Sequence, residues 1–111
     1  MKEEAPSKDP GSLIGKTIEQ VCFSYNAVIL RFENGAWLLI ERDIEALVDG
    51  SWLVSEPTTI VKMSLGTVEY LSLNKSGIQL KTERGALRMI CGEDGYESAS
   101  LTFPCGSFIT I

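Results

Sequence analysis

The sequence contains no histidine among its 111 residues. Because Ser-His-Asp and Cys-His catalysis both need an imidazole as the base, neither mechanism is open to this chain. The three cysteines, Cys22, Cys91 and Cys105, share no CxxC spacing and have no histidine to complete a zinc set. We therefore expect buried free thiols. Walker, GxGxxG and GxSxG motifs are also absent. The sequence predicts a protein that is not an enzyme, with no catalytic residues, no metal and no cofactor.

Long apolar runs and an excess of positive charge are missing as well. No stretch approaches the ~18 apolar residues of a membrane-spanning helix, and the first residues lack the apolar core of a secretory signal. We expect a cytoplasmic protein without membrane association. The net charge is −5 and the pI is about 4.7. Since phosphate binding needs a clustered positive face, this balance argues against nucleic acid as a partner.

What is present fits one globular domain. Hydrophobic residues make up 44% of the chain, which is enough for one core, and 111 residues are too few for two independent cores. Residues 1–12, MKEEAPSKDPGS, are charged, contain two prolines and have no apolar run. We expect a disordered tail over 1–12 and a single domain over 13–111.

The domain contains an internal repeat. A shift of 50 positions aligns residues 17–40 with residues 67–90 without a gap, and seven of the 24 positions are identical. Unrelated sequences would give about one or two identities by chance. The sequence therefore predicts two tandem copies, residues 13–57 and residues 63–111, that share one core.

Within each copy, apolar residues alternate with a period of two, as strands with one buried face require. Asn34-Gly35 favours a two-residue type I′ hairpin, which would set Leu30 opposite Leu39. The preceding strand would turn at Tyr25-Asn26, or at Lys75-Ser76 in the second copy. This pattern predicts a β-meander in each copy.

The second copy repeats two further features. Arg84-Gly85 stands where Asn34-Gly35 does and would set Leu80 opposite Met89. The alternation also breaks phase at the same place in both copies, near Glu19-Gln20 and Glu69-Tyr70. A shared phase break indicates a β-bulge, and bulges bend strands, so we expect curved sheets.

A fourth strand would follow each triplet. Asp49-Gly50 leads into residues 51–55, and Asp94-Gly95 leads into residues 96–103. The connector over 43–48 would carry a short helix with Asp43 as its N-cap. The predicted fold is all-β, with two tandem four-stranded antiparallel meanders that form curved half-barrel sheets. A single closed barrel of eight strands is the alternative.

Acidic residues are concentrated in the connectors. Between Glu33 and Glu56 there are six acids and one base, and each acidic connector has an aromatic residue nearby. An acidic surface with an exposed aromatic suits a basic protein partner, because charge speeds encounter and the ring slows dissociation. The predicted partner-binding residues are Glu41, Asp43, Glu45, Asp49 and Trp52, followed by Glu93, Asp94, Tyr96 and Glu97. The alternative is a solvated acidic rim with Trp52 in the core.

Two other groups of residues each have a structural and a functional interpretation. Ile29, Leu38 and Ile40 would point away from the inner face, where the connector covers them or where they form a homodimer interface. The duplicated Glu19 and Glu69 could be paired catalytic carboxylates, but cross-strand ion pairs with a neighbouring Arg or Lys are the simpler interpretation.

A small, acidic, histidine-free domain with a tandem β-meander resembles the immunity proteins of contact-dependent growth inhibition and related polymorphic toxin systems, some of which form half-barrels. The resemblance covers residues 13–111 by size, charge and architecture and includes no specific motif, so it assigns no residue a role. It implies a toxin-neutralising protein that occludes a basic toxin domain, such as a nuclease, with its acidic connectors. The alternative function is a ligand-binding half-barrel or a homo-oligomeric scaffold.

Overall fold

The computed structural model describes residues 9–91 and 98–111. A short 3-10 helix over Pro10–Leu13 comes first, and the Asp9 carboxylate accepts a hydrogen bond of 2.9 Å from the Gly11 N–H. The tail predicted over 1–12 therefore lies partly outside the described residues, and its last three residues belong to this helix. The remaining elements are β1 (Thr17–Ser24), β2 (Ala27–Phe32), β3 (Trp37–Ile40), β4 (Glu45–Val48), β5 (Ser51–Val54), α1 (Pro57–Ser64), β6 (Gly66–Asn74), β7 (Gly77–Thr82), β8 (Gly85–Ile90), β9 (Ala99–Thr102) and β10 (Phe108–Thr110).

The ten strands of the described residues form one antiparallel sheet in the order β10-β9-β3-β2-β1-β6-β7-β8-β4-β5. The all-β prediction is confirmed. The sheet is open, with β5 and β10 at its edges, so the alternative of a closed eight-stranded barrel is wrong. The two copies meet at the centre, where Thr17 of β1 pairs with Thr67 of β6.

The two copies exchange their last hairpins. The β4-β5 hairpin follows the first triplet in sequence but pairs with β8, through Glu45 opposite Arg88. In the same way, β9 follows the second triplet but pairs with β3, through Leu38 opposite Leu101. The prediction that each copy forms its own four-stranded unit is therefore wrong. Each copy forms a three-stranded meander, and the hairpin of the other copy completes it.

Both predicted bulges are present. The β1-β2 register shifts between Ile18 and Gln20, and the β6-β7 register shifts between Val68 and Tyr70. The shift keeps both Ile18 and Val68 buried, although they are out of phase with the rest of their strands. The predicted turns at Tyr25-Asn26 and Lys75-Ser76 are confirmed by pairs of the residues that flank them.

The β2-β3 hairpin differs from the prediction by one residue. The Phe32 N–H donates to the Ala36 carbonyl at 2.9 Å, so the loop has three residues and ends in Gly35, at a φ of 93°. Such three-residue loops place a residue in the left-handed region after a type I turn. Leu30 consequently faces Leu38 instead of Leu39. Because side chains alternate along a strand, this slip brings the even-numbered residues of β3 to the core.

The β7-β8 hairpin differs by two residues. Its turn is Glu83-Arg84, and Leu80 lies opposite Leu87 instead of Met89. A shift of two preserves which face each side chain occupies. Leu80, Leu87 and Met89 are therefore all buried, as the alternation indicated.

The connector over 43–48 is not a helix. Its residues from Glu45 onward form β4, which turns at Asp49-Gly50 into β5 as that dipeptide favours. Ile44 and Ala46 are buried with Glu45 between them, which is the period of a strand. The helix occurs later, as α1, with Pro57 in its first turn.

The core consists of the inner faces of both triplets together with one residue row from each exchanged hairpin. It includes Leu30, Phe32, Leu38, Leu80, Leu87, Met89, Ala46 and Leu101, none more than 3% exposed. The tip of the β1-β2 hairpin extends beyond this core, and the candidate site lies there.

Candidate functional site

A wide groove of about 880 Å³ opens between three segments of the chain. One wall is the tip of the β1-β2 hairpin, the second is the loop that leaves β3, and the third is the junction of β5 and α1. We call it the acidic groove. It is lined by Phe23, Tyr25, Asn26, Ala27, Val28, Ile40, Glu41, Arg42, Asp43, Ile44, Ser55, Pro57 and Ile60.

The floor of the acidic groove is apolar and its hairpin wall is aromatic. Ile40, Ile44 and Ile60 on the floor are at most 4% exposed. Above them, Tyr25 is 98% exposed because it occupies the two-residue turn of the hairpin, and Phe23 is 43% exposed. Large rings that stand in water beside an apolar floor are typical of binding surfaces.

The opposite wall carries the acids. Glu41 and Asp43 are both exposed. The Arg42 Nε–H between them donates a hydrogen bond to the hydroxyl of the buried Ser98. The Glu41 N–H donates to the Ser98 carbonyl at 2.8 Å. The exchanged hairpin of the second copy thus anchors the acidic wall that the first copy supplies.

The other predicted acids lie elsewhere. Glu45 is bound within the chain, since its Oε1 accepts from the Arg88 Nε–H at 2.6 Å. The Arg88 guanidinium also lies 4.5 Å from the centre of the Trp52 ring, which is partly buried. Asp49 is exposed at the β4-β5 turn. Of the first five predicted contact residues, the structure places only Glu41 and Asp43 in the groove.

The second group of predicted contacts cannot be placed beside the first. Glu93, Asp94, Tyr96 and Glu97 lie outside the described residues. Phe23 and Tyr25 were not among the predicted contacts, and Tyr25 was predicted only as part of a turn. A large aromatic residue in a two-residue turn was the available signal, since such a position leaves the ring in solvent.

The residues predicted to form a homodimer surface are buried or partly buried. Leu38 is 0% exposed and Ile40 is 4% exposed, because the one-residue slip in β3 turns both into the core. Ile29 is partly buried opposite Leu39. This face is therefore not available as the interface of an oligomeric scaffold.

The remaining candidate chemistry has structural explanations. Glu69 lies at its bulge with Oε1 3.7 Å from Lys81 Nζ, as a cross-strand ion pair. Over residues 9–91 and 98–111, no group of three or more Cys, Asp or Glu side chains is arranged to hold a metal ion. None of the three cysteines forms a disulfide bond within the described residues, but the predicted burial is wrong, since Cys22 and Cys91 are only partly buried and Cys105 is exposed.

Protein-family models, curated proteins and solved structures were compared with the chain. None matches it. No helix in the described part of the chain is long and apolar enough to cross a membrane. The acidic groove is therefore the feature of this protein that points to a function.

Proposed function

We propose that this protein binds a basic protein partner in the acidic groove, without catalysing a reaction. The observation that carries the proposal is Tyr25, 98% exposed at a hairpin tip, which lines the same groove as the buried Ile40 and the exposed Glu41 and Asp43. The groove is open along its length, so it suits a projecting element of a protein better than an enclosed small molecule.

Two physical effects would act together at this site. The acids attract a positively charged surface and raise the rate of encounter, an effect that salt weakens. Tyr25 and Phe23 then bury apolar area against the partner, and aromatic anchors of this kind mainly slow dissociation. The groove thus separates a charge-dependent association step from an aromatic-dependent dissociation step.

For the partner, we propose a basic toxin domain whose active site the groove wall occludes. The support is the resemblance in size, acidity and β architecture to immunity proteins, together with the protein's net charge of −5. Inhibition would be steric and electrostatic, with no turnover.

The test is to copurify the partner from the native host and to measure its binding kinetics with purified variants. We expect the double variant Glu41→Lys with Asp43→Lys to lower the association rate constant about ten-fold or more at low salt. The loss should shrink as salt rises. Tyr25→Ala should mainly raise the dissociation rate constant.

The matched control is Glu19→Lys with Glu33→Lys, which makes the same change of charge at two exposed acids outside the groove. It should leave association nearly unchanged. A partner that is acidic, or that binds both double variants equally well, would show that the groove is not the contact surface. Loss of growth protection with the groove variant alone would support the toxin-neutralising role.

A further inference from the structure

The strand β5 ends the sheet on the side opposite β10, and no described strand pairs with its outer side. The Ser55 N–H donates to the Ile44 carbonyl at 2.9 Å, so Ile44 and Ser55 form a hydrogen-bonded pair. Because such pairs alternate along an antiparallel ladder, Trp52 and Val54 turn their N–H and C=O groups outward. The outer side of β5 therefore offers two backbone donors and two acceptors that no described strand uses.

Apart from its length of only four residues, this edge lacks the devices that usually protect an edge strand. Ser51–Val54 contains no charged residue, no proline and no bulge. Leu53 is 52% exposed although it lies opposite Ala46, which is fully buried. On the other face Val54 is 64% exposed. An added strand would extend the core past Leu53 and cover Val54 as well.

The charges beside β5 indicate what kind of strand fits. Asp49 and Glu56 are both exposed and flank the strand at its two ends. A second copy fits poorly, since parallel pairing would place each acid beside its own equivalent. Antiparallel pairing centred on Leu53 would set Glu56 opposite Gly50, next to Asp49. Like charges that close are unfavourable in either arrangement.

We propose that β5 is a docking edge for an extended segment of a partner protein, which adds a strand beside Ser51–Val54 and carries basic residues at both of its ends. Asp49 and Glu56 are seven positions apart, which spans at most about 23 Å of extended chain. The basic residues should therefore lie about seven positions apart, with alternating apolar residues between them. The proposal does not depend on the acidic groove, whose residues the experiment leaves unchanged.

The opposite edge supplies a matched comparison. In β10, the backbone N–H and C=O groups of Phe108 and Thr110 also point away from the sheet. This follows because the Ile111 N–H donates to the Ala99 carbonyl and the Phe103 N–H donates to the Ser107 carbonyl. No charged residue occurs between residues 98 and 111. A basic segment should therefore choose β5 over β10.

The probe is the synthetic peptide KKTVTVTVKK, titrated into the full-length protein while backbone amide signals are followed by NMR. We expect binding with a Kd below about 1 mM and the largest shifts at the Trp52 and Val54 amides. The peptides EETVTVTVEE and KKTVPVTVKK should not bind. Asp49→Asn with Glu56→Gln should weaken binding about three- to ten-fold, whereas Glu19→Gln with Glu33→Gln should not.

Val54→Pro removes one outward N–H without breaking a bond to β4, and it should abolish binding, whereas Thr110→Pro on β10 should not. If Val54→Pro fails to fold, a peptide methylated at alternate backbone nitrogens tests the same hydrogen bonds on the unaltered protein and should not bind.

The proposal is overturned if KKTVTVTVKK does not bind, if the acidic peptide binds equally well, or if shifts concentrate on β10. A dimer through β5 that excludes the peptide would overturn it too.

Discussion

At the scale of single residues, Gly77, the first residue of β7, is the most tightly enclosed of the described glycines. A Cβ at this position would lie 1.9 Å from the backbone oxygen of Met89, and its φ of 141° disfavours any other residue. We expect Gly77→Ala to lower the free energy of unfolding by more than about 4 kcal/mol, since neighbouring backbone must move. Denaturant unfolding of the purified variant measures this loss.

Gly35 is the control for that prediction. It also has a positive φ, of 93°, but a Cβ there would meet nothing within 4 Å. Gly35→Ala should therefore cost only the backbone term of about 1–2 kcal/mol. Equal losses for the two variants would contradict the steric explanation.

Arg88 makes two interactions that no single sequence window shows. Its guanidinium bonds Glu45 at 2.6 Å and lies 4.5 Å from the centre of the Trp52 ring, with both charged side chains less than one third exposed. We expect Arg88→Ala to cost about 1–3 kcal/mol of unfolding free energy, because Glu45 would lose its partner in a partly buried site. Tryptophan fluorescence during urea unfolding reports both the stability and the environment of Trp52.

The exposed pair Lys81–Glu69 provides the comparison for Arg88. Its atoms are 3.7 Å apart and its side chains are 63% and 48% exposed. Lys81→Ala should change stability by less than about 0.5 kcal/mol. If removing Lys81 costs as much as removing Arg88, burial and the ring contact do not strengthen the Arg88 pair.

At the scale of strands, the bulge at Glu19 sets the phase of β1. Deleting Glu19 would join Ile18 directly to Gln20 and turn Ile18, which is 1% exposed, out of the core. We expect the deletion to cost about 2–5 kcal/mol, as for the loss of a buried isoleucine. Glu19→Ala keeps the bulge and should be neutral within about 0.5 kcal/mol. Thermal unfolding of both variants measures the difference, and similar stabilities would show that the phase of β1 does not depend on the bulge.

The same scale shows why some registers could be predicted from sequence and others could not. The bulges could be predicted because Ile18 and Val68 are out of phase with the apolar alternation of their strands in both copies. In the β2-β3 loop, Asn34-Gly35 fits both a two-residue and a three-residue turn, and the two choices differ in which face Leu38 occupies. Ile44 and Ala46 alternate over too few positions to distinguish a strand from a helical turn. Local sequence therefore predicted the strands of both three-stranded meanders, but neither β4 nor the loop lengths that determine which face each side chain occupies.

At the scale of the whole molecule, the exchange of hairpins could not be predicted from either copy alone. A repeat predicts two similar units, but pairing β4 with β8 and β9 with β3 depends on contacts far apart in sequence. The acidic groove depends on the same exchange, because Ser98 of the second copy holds Glu41 and Arg42 of the first. Glu41 and Asp43 could be proposed as contacts from the sequence, but which acids share one surface depends on pairings far apart in the chain.

The exchange also predicts how the chain behaves when it is divided. Each three-stranded meander receives its fourth and fifth strands from the other copy, so neither half contains a complete sheet. We expect fragments 1–64 and 65–111 to be unfolded when expressed separately, because β3 and β8 would each lose the strand that covers their outer edge. Mixed or coexpressed, the fragments should form a 1:1 complex with the strand content of the intact protein. Circular dichroism and sedimentation of each fragment and of the mixture measure this. A fragment that folds cooperatively as a monomer would show that its own strands make a sufficient core and that the exchange is not required for folding.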